Sequence, residues 1–419
     1  HRDLHSFPTR RSSDLLWRLA LAGAVFVGVY GGCNHFTATR GDVPVMMFEW
    51  ERNMPFIKEM VVPYWSLDVF FCGAFFLCRS RLELNLLTRR LVAVTLGSGA
   101  FFLLFPLQLG LPRPEPEGWT APLFHALYAN DMPYNLAPSL HISLRSLVWV
   151  FYGAHLRGRA RVAVKIWFIL IGASTLLVWQ HHLVDVAGGF VMGWAVAALI
   201  PDPRQPGTRN PSLKHARRYG TGALACAGLA FVSVVFVWPA MACGIMALAY
   251  ATGLSRLLGK ENGTLSPSAE WCLLPVLLGA AWMQRRWLKR NPGWHEASPG
   301  VVFSRKVTRR EAAALAAGGG LAVLDLTAET NAPAVFREQA HYHNLPLLDL
   351  VPLKPEHIQA ALDHIRAQRA AGRRVLVHCQ LGLQRSAMIA AHWLVDCGAA
   401  PDLEAAKGMI RKVEPQVVI

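Results

Sequence analysis

The chain has 419 residues, 53% of them apolar and only 16% charged, well below the roughly 25% charged content of soluble domains. That excludes a wholly soluble protein and calls for a membrane portion. The net charge of +15 raises nucleic acid as a partner, but residues 300–419 hold 14 Lys and Arg against 11 Asp and Glu, a net of +3. The basic excess lies in short loops of the apolar half, the pattern of cytoplasmic loops in multispanning proteins, which argues against a nucleic-acid-binding face.

In chain order, the stretch His5-Ser6-Phe7-Pro8-Thr9-Arg10-Arg11-Ser12-Ser13-Asp14-Leu15 back-translates in one frame to a common sequencing adapter, so residues 1–15 are set aside from the fold. No initiator Met is present and the end at Val417-Val418-Ile419 lacks a closing polar segment, so both termini are expected to be truncated. Apolar runs long enough to cross a bilayer are expected at 15–33, 60–78, 91–109, 139–155, 162–180 and 183–200, making a six-helix core. Arg79, Arg81, Arg89 and Arg90 fill one loop, Arg157, Arg159, Arg161 and Lys165 another, and Arg204, Arg209, Lys214, Arg217 and Arg218 a third. These loops are expected on the cytoplasmic side.

Beyond residue 218, two or three further segments are expected, with 219–254 broken at Pro239 and another at 267–284. Arg285, Arg286, Lys289 and Arg290 place the end of the last one in the cytoplasm, which favours an even number of crossings with one segment interfacial or re-entrant. The domain division is therefore 16–205 for the membrane core, 206–290 for the additional segments and 291–419 for a small soluble α/β domain. In that domain strands are expected at 322–326, near 345–348 and at 374–378, and helices at 355–371 and 386–396, with Gly372 as a left-handed helix end. The eight cysteines show neither a disulfide framework nor a metal spacing; six of them lie in or beside apolar runs.

The strand Val375-Leu376-Val377 runs into His378-Cys379-Gln380-Leu381-Gly382-Leu383-Gln384-Arg385-Ser386. A thiolate is the attacking form of a catalytic cysteine, and a helix N-terminus with an adjacent cation favours it. Cys379 has both. Successive loop amides from Gln380, Leu381, Gly382, Leu383 and Gln384 make an anion cradle, Arg385 closes it on two phosphate oxygens, and Ser386 can hydrogen-bond the sulfur. The string His-Cys-x5-Arg-Ser in strand–loop–helix context resembles the protein tyrosine phosphatase superfamily, and the domain's size resembles its dual-specificity branch. The resemblance implies a general acid on a loop about thirty residues upstream, where Asp349 stands. Asp325, on the earlier strand, reads as structural. Gln384, where a small residue is usual, and the apolar Leu381 and Leu383 depart from the family pattern.

In the membrane half, Arg113-Pro114, Pro138-Ser139-Leu140-His141, and Ser174-Thr175 with Gln180-His181-His182 and Asp185 combine ionisable residues with span ends. A lone His there is usually interfacial, but His181 and Asp185 are four apart on one helix face, where a carboxylate fixes the imidazole tautomer. The three strings resemble the type 2 phosphatidic acid phosphatase superfamily motifs Lys-x6-Arg-Pro, Pro-Ser-x-His and Ser-Arg-x5-His-x3-Asp. Pro106 replaces the Lys and Thr175 the Arg, and the version carried here is similar to the inositol phosphorylceramide synthase branch. The resemblance implies His181 as nucleophile, Asp185 as its orienting group, His141 as acid, and Arg113, Ser139 and Ser174 as phosphate binders. His182 is available to replace a missing phosphate contact.

The expected protein is a multi-pass membrane enzyme with two phosphoester sites, using no metal and no cofactor. The His site is placed on the extracytoplasmic side and the Cys site in the cytoplasm. Its partners are membrane lipids and a lipid phosphate or phosphoprotein substrate, with no nucleic acid. Two alternatives stand beside phosphatase activity at both sites: a head-group phosphotransferase in the membrane, and an inactive membrane anchor for the cysteine phosphatase.

Overall fold

The computed structural model describes residues 11–205, 207–288 and 293–419. Residues 1–10, Lys289 and Arg290 lie outside that description. The chain forms two compact units, one built from residues up to 203 with 266–268, the other from 204–265 and 269–419. The unit holding the cysteine loop thus begins well ahead of residue 291.

The first unit is helical: α1 (Arg11–Ala38), α2 (Val61–Leu77), α3 (Arg81–Leu104), the short α4 (Ala121–Asn130), α5 (Leu140–His155), α6 (Gly158–Leu177) and α7 (Leu183–Leu199). Ser80 caps α3 through the Glu83 amide and Ser139 caps α5 through the Ile142 amide, each a side chain accepting an otherwise orphaned N–H. α5 is the buried centre of this unit. Its residues Leu140, Leu144, Leu147, Val148 and Phe151 join Leu67, Phe75, Leu87, Leu91 and Phe168 in one core. Helix α7 approaches α5 through Gly189, where a Cβ would stand 2.6 Å from the Ser139 carbonyl oxygen and 2.8 Å from Ile142 Cβ. Among the described residues, five helices are long and apolar enough to cross a membrane: Ser12–Ala38, Lys58–Leu77, Arg81–Leu104, Gly158–Leu177 and Val234–Thr252. The expected segments 139–155 and 183–200 form shorter helices, of 16 and 17 residues.

The second unit opens with a helical hairpin, α8 (Leu213–Leu229) and α9 (Val237–Thr252). The break lies at 230–236 rather than at Pro239, which sits in the first turn of α9, where a missing N–H costs nothing. A two-stranded ribbon, β1 (Lys260–Glu261) and β2 (Thr264–Leu265), leads into α10 (Pro267–Leu288). The α/β portion follows: β3 (Trp294–Ser298), β4 (Val301–Ser304), α11 (Arg309–Ala316), β5 (Leu321–Thr327), α12 (Ala334–Gln339), β6 (His341–Leu347), α13 (Pro355–Ala370), β7 (Arg374–His378), α14 (Arg385–Asp396) and α15 (Leu403–Val413). The five-stranded sheet runs β3-β4-β7-β5-β6, antiparallel only between β3 and β4.

Helices cover both faces of this sheet, so β5 is buried at all seven positions. Ala322, Leu324, Leu326, Val375 and Val377 pack with Ala361, Ile365 and Ile389 of α13 and α14, while Leu321, Val323 and Leu376 pack with Ala312, Leu315 and Phe336 of α11 and α12. Gly372 ends α13 at φ 72°, as its position in the sequence leads one to expect. The hairpin β3–β4 and helices α11, α12 and α15 complete the domain.

At the C-terminal ends of the central strands a charge is buried. Lys260 Nζ donates to Asp325 Oδ2 at 2.7 Å and to Thr327 Oγ1 and O at 2.8 Å, while Thr327 N and Oγ1 and Tyr342 Oη also donate to the Asp325 carboxylate. Burial alone would raise the Asp325 carboxyl, but the Lys260 ammonium, with His378 and the Thr327 amide, holds the group below the ordinary carboxylate range. Replacing Lys260 by Met strands that carboxylate and is expected to destabilise the unit by about 3–5 kcal/mol. Adding Asp325→Asn is expected to recover part of the loss. The denaturant midpoint of the second unit's unfolding checks both.

Candidate active sites

The strand β7 ends at His378 and hands Cys379 to a loop that returns as α14 at Arg385. The thiol is buried. The Gly382 amide donates toward Cys379 Sγ at 3.3 Å, and the Ser386 hydroxyl stands 3.3 Å from the same sulfur while lying 3.1 Å from the Ser304 carbonyl, to which it donates. The loop curls tightly enough that only glycine fits at 382. Its φ is 80°, and a Cβ would stand 2.6 Å from the Arg305 amide nitrogen and 3.0 Å from the Ser304 carbonyl carbon. The loop is braced from outside: Lys306 N donates to the Gln380 carbonyl and Val418 N to the Leu383 carbonyl.

Arg385 is fully buried. Its Nη1 donates to the carbonyls of Leu347 at 2.8 Å and Leu326 at 3.3 Å, and to Glu329 Oε2 at 3.2 Å. Its Nη2 donates to Glu329 Oε1 at 2.7 Å and lies 3.0 Å from Asp349 Oδ1. The guanidinium is therefore oriented by β5, β6 and the turn after β5, with Nε left without a partner among the described residues. Asp349, the expected acid, stands on the loop after β6 with its side chain 33% exposed, beside the cation that a phosphate would occupy. Leu381, Leu383 and Gln384 lie in the same loop, each half-buried.

In the helical unit, His141 and His181 line one cavity of about 170 Å³, together with Tyr30, Tyr64, Asp68 and Asp131. Asp185 Oδ2 lies 3.7 Å from His181 Nδ1 and accepts from the His182 amide at 2.7 Å. His141 stacks on Tyr64 with ring centroids 4.3 Å apart, and its Nε2 has no partner among the described residues. The two motifs are tied together by the Ser139 amide, which donates to the Asp185 carbonyl at 2.9 Å.

The structure thus brings His141, His181 and Asp185 together. It places the expected phosphate binders elsewhere: none of Arg113, Ser139 and Ser174 is in the cavity wall. Arg113 Nη1 donates to the Asp131 carbonyl at 2.6 Å, Ser139 Oγ caps α5, and Ser174 Oγ donates to the Ile171 carbonyl at 2.7 Å. His182 is not available for phosphate. Its Nε2 accepts from the Gly110 amide at 3.0 Å, which leaves the proton on Nδ1 to donate to Glu51 Oε2 at 2.9 Å. Among the described residues, no group of three or more His, Cys, Asp or Glu side chains is placed to hold a metal ion.

Residues 309–419 match the family model for the dual specificity phosphatase catalytic domain, and residues 87–205 that of the PAP2 superfamily. The chain joins a PAP2 domain to a dual specificity phosphatase domain. It is a phosphatase, a hydrolase of phosphoesters. Solved structures similar to it include Tk-PTP in its active form, at 24% identity over 30% of this chain and 88% of that one with a TM-score of 0.28. A putative dual specificity phosphatase from mouse, complexed with zinc tungstate, gives 18% identity, 30% and 79% coverage and 0.27. Human DUSP28 gives 22% identity, 30% and 84% coverage and 0.24.

Several site residues of the two domains escaped sequence reasoning. Glu329, the bidentate partner of Arg385, lies in a turn fifty-six residues before it, with no motif to mark it. Burial alone would raise its carboxyl, but Arg385, backed by Lys260, holds it below its ordinary value of 4.5. Glu51 fixes His182 from a helical turn ahead of α2. Arg145 was legible, as a cation inside an apolar run. It lies on α5 one turn beyond His141, buried, with its guanidinium over Phe190 and, among the described residues, with no ion-pair partner. Gln284 of α10 accepts from Gln380 Nε2 and donates to the Lys306 carbonyl, both at 3.3 Å.

Substituting Gly382 by Ala is expected to lower kcat/KM for para-nitrophenyl phosphate by about 10²-fold while leaving the unit folded, because the cradle alone is displaced. Steady-state kinetics beside circular dichroism check this. A carboxyl held below its ordinary value stabilises the fold above that value and ceases to as pH falls through its lowered one. The thermal midpoint of the phosphatase unit should therefore drop more steeply below pH 4.5 in the wild type than in Glu329→Gln.

Proposed function

We propose that both domains are catalytic. In the dual specificity domain, Cys379 Sγ attacks phosphorus, the bond to the leaving oxygen breaks, and Asp349 gives that oxygen its proton. Asp349 then takes a proton from water, which cleaves the cysteinyl phosphate and releases phosphate and thiolate. Arg385 and the loop amides hold the phosphoryl oxygens throughout. The observation that carries this reading is the convergence on one sulfur of the Gly382 amide and the Ser386 hydroxyl, with a fully buried arginine closing the same loop.

In the PAP2 domain, His181 faces Asp185 through Nδ1, which leaves Nε2 to attack the phosphorus of a lipid phosphate while His141 protonates the departing alkoxide. Arg145, one turn beyond His141 on α5, is a buried cation near this site but outside the cavity wall. A second reading, head-group transfer as in the inositol phosphorylceramide synthase branch, is favoured by the cavity wall. It contains Asp68 and Asp131 and no Lys or Arg, a lining that suits a polyhydroxyl acceptor better than a second phosphate. The Arg-rich loops support a cytoplasmic cysteine site, where the thiol stays reduced, and a His site on the opposite side.

Cys379→Ser is expected to abolish turnover of para-nitrophenyl phosphate by about 10³-fold or more, and His181→Ala to abolish turnover of short-chain phosphatidic acid in detergent by a similar factor in the Cys379→Ser background. If His181→Ala leaves lipid turnover in that background intact, the membrane site does not act as proposed.

A further inference from the structure

The end of β6 and the loop that carries Asp349 are fastened by Tyr250 of α9 and by Thr208 and Asn210 of the segment that leads into α8. Thr208 Oγ1 donates to the Pro346 carbonyl at 2.5 Å, Tyr250 Oη to the Asp349 carbonyl at 3.1 Å, and Asn210 Nδ2 to the Pro352 carbonyl at 2.7 Å. The base of the hairpin is itself locked, since Ser212 N donates to the Tyr250 carbonyl and the rings of Tyr219 and Tyr250 stack at 5.5 Å.

The other end of the hairpin is built for a different medium. No Asp, Glu, Lys or Arg occurs between Arg218 and Arg256. Around the turn, Phe231 is 96% exposed and Val232 83%, and Leu224, Leu229, Val234, Val235 and Val237 are exposed as well. Lys214, Arg217 and Arg218 are exposed on the first turns of α8, on the base side of this apolar stretch. From Gly220 to Leu229 the helix rises about 15 Å, half of a hydrocarbon core of about 30 Å. A full crossing would leave Phe231 and Val232 in water on the far side, with Ser233 the one polar side chain in the turn. A hairpin that ends in the middle of the bilayer keeps them in hydrocarbon and leaves the three cations at an anionic head-group surface. Leu350, the residue after Asp349, adds to this picture. It holds a left-handed conformation, φ 59°, with its side chain 55% exposed at the rim of the site.

We propose that α8–α9 is an insert into one leaflet, and that the Cys379 site, whose acid loop it carries, hydrolyses the phosphomonoester of a lipid lying in that leaflet. The proposal rests on the cysteine chemistry argued above and names its substrate class. The lipid alkoxide is the leaving group protonated by Asp349, and its acyl chains stay in the layer that holds Phe231 and Val232.

The test uses the full chain carrying His181→Ala, so that lipid turnover reports Cys379 alone, in vesicles of phosphatidylcholine and phosphatidylglycerol containing phosphatidic acid. The double variant Phe231→Asp with Val232→Asp is expected to lose about tenfold or more of phosphatidic acid turnover and to keep its rate on para-nitrophenyl phosphate. Phe231→Leu should keep both. Unchanged lipid turnover in the double variant would overturn the insert, and so would an equal fall on both substrates, which would make the hairpin merely a prop for the loop. If the parent turns over para-nitrophenyl phosphate and a phosphotyrosine peptide but not phosphatidic acid, the substrate class is wrong while the cysteine chemistry stands. If Cys379 turns over none of the three, the cysteine reading itself fails.

Discussion

Arg385 holds a permanent positive charge where water is excluded, and much of the phosphatase unit is arranged around it. An isolated guanidinium there would be costly, so its charge is met by Glu329 and Asp349 and its N–H groups by the carbonyls at the ends of β5 and β6. Those carbonyls are available because parallel strands end together at one edge of the sheet, the edge to which β7 also delivers Cys379. The second ion pair joins Lys260 of β1 to Asp325 of β5, one residue before Leu326 and four before Glu329. It ties a ribbon outside the α/β sheet to the strand that positions Glu329. Charge placement thus links catalytic geometry to fold stability, and it explains why the unit reaches back beyond the matched 309–419.

The helical unit solves a related problem with histidines. Glu51 and the Gly110 amide commit both nitrogens of His182, the N-cap of α7, and the lock holds the start of that helix so that His181, just ahead of it, lies 3.7 Å from Asp185 in its first turn. The close approach of α5 and α7 at Gly189 brings His141 to the same cavity. Substituting Pro106 and Thr175 for cations leaves Arg145 as the buried positive charge near His141, inside the helix bundle rather than at its mouth.

The cysteine loop, the strand before it and the helices on either side were legible in the sequence because each is a local pattern: a β-branched run, a glycine at a helix end, a fixed spacing from Cys379 to Arg385. His141, His181 and Asp185 were legible for the same reason, as motifs on consecutive segments. What could not be read were pairings across long separations. Glu329 and Lys260 are ordinary polar residues until the sheet aligns them, and β3–β4 carries no marked alternation. The position of the break between α8 and α9 was misread because Pro239 looked like a terminator, whereas in a first helical turn it is compatible with the helix. Arg113, Ser139 and Ser174 fit their motifs by spacing, yet none of them is in the cavity wall: Arg113 Nη1 and Ser174 Oγ donate to nearby carbonyls and Ser139 Oγ accepts from the Ile142 amide.

Two nucleophiles on one chain are each expected to form a phosphoryl intermediate. Rapid acid and alkaline quenching of the full-length protein during turnover of phosphatidic acid and para-nitrophenyl phosphate, followed by peptide mass spectrometry, tests this directly. A phosphoryl group is expected on the Cys379 peptide and, separately, on the His181 peptide, the former absent in Cys379→Ser and the latter in His181→Ala. A phosphoryl group on any other side chain, or turnover with neither peptide labelled, would contradict that expectation.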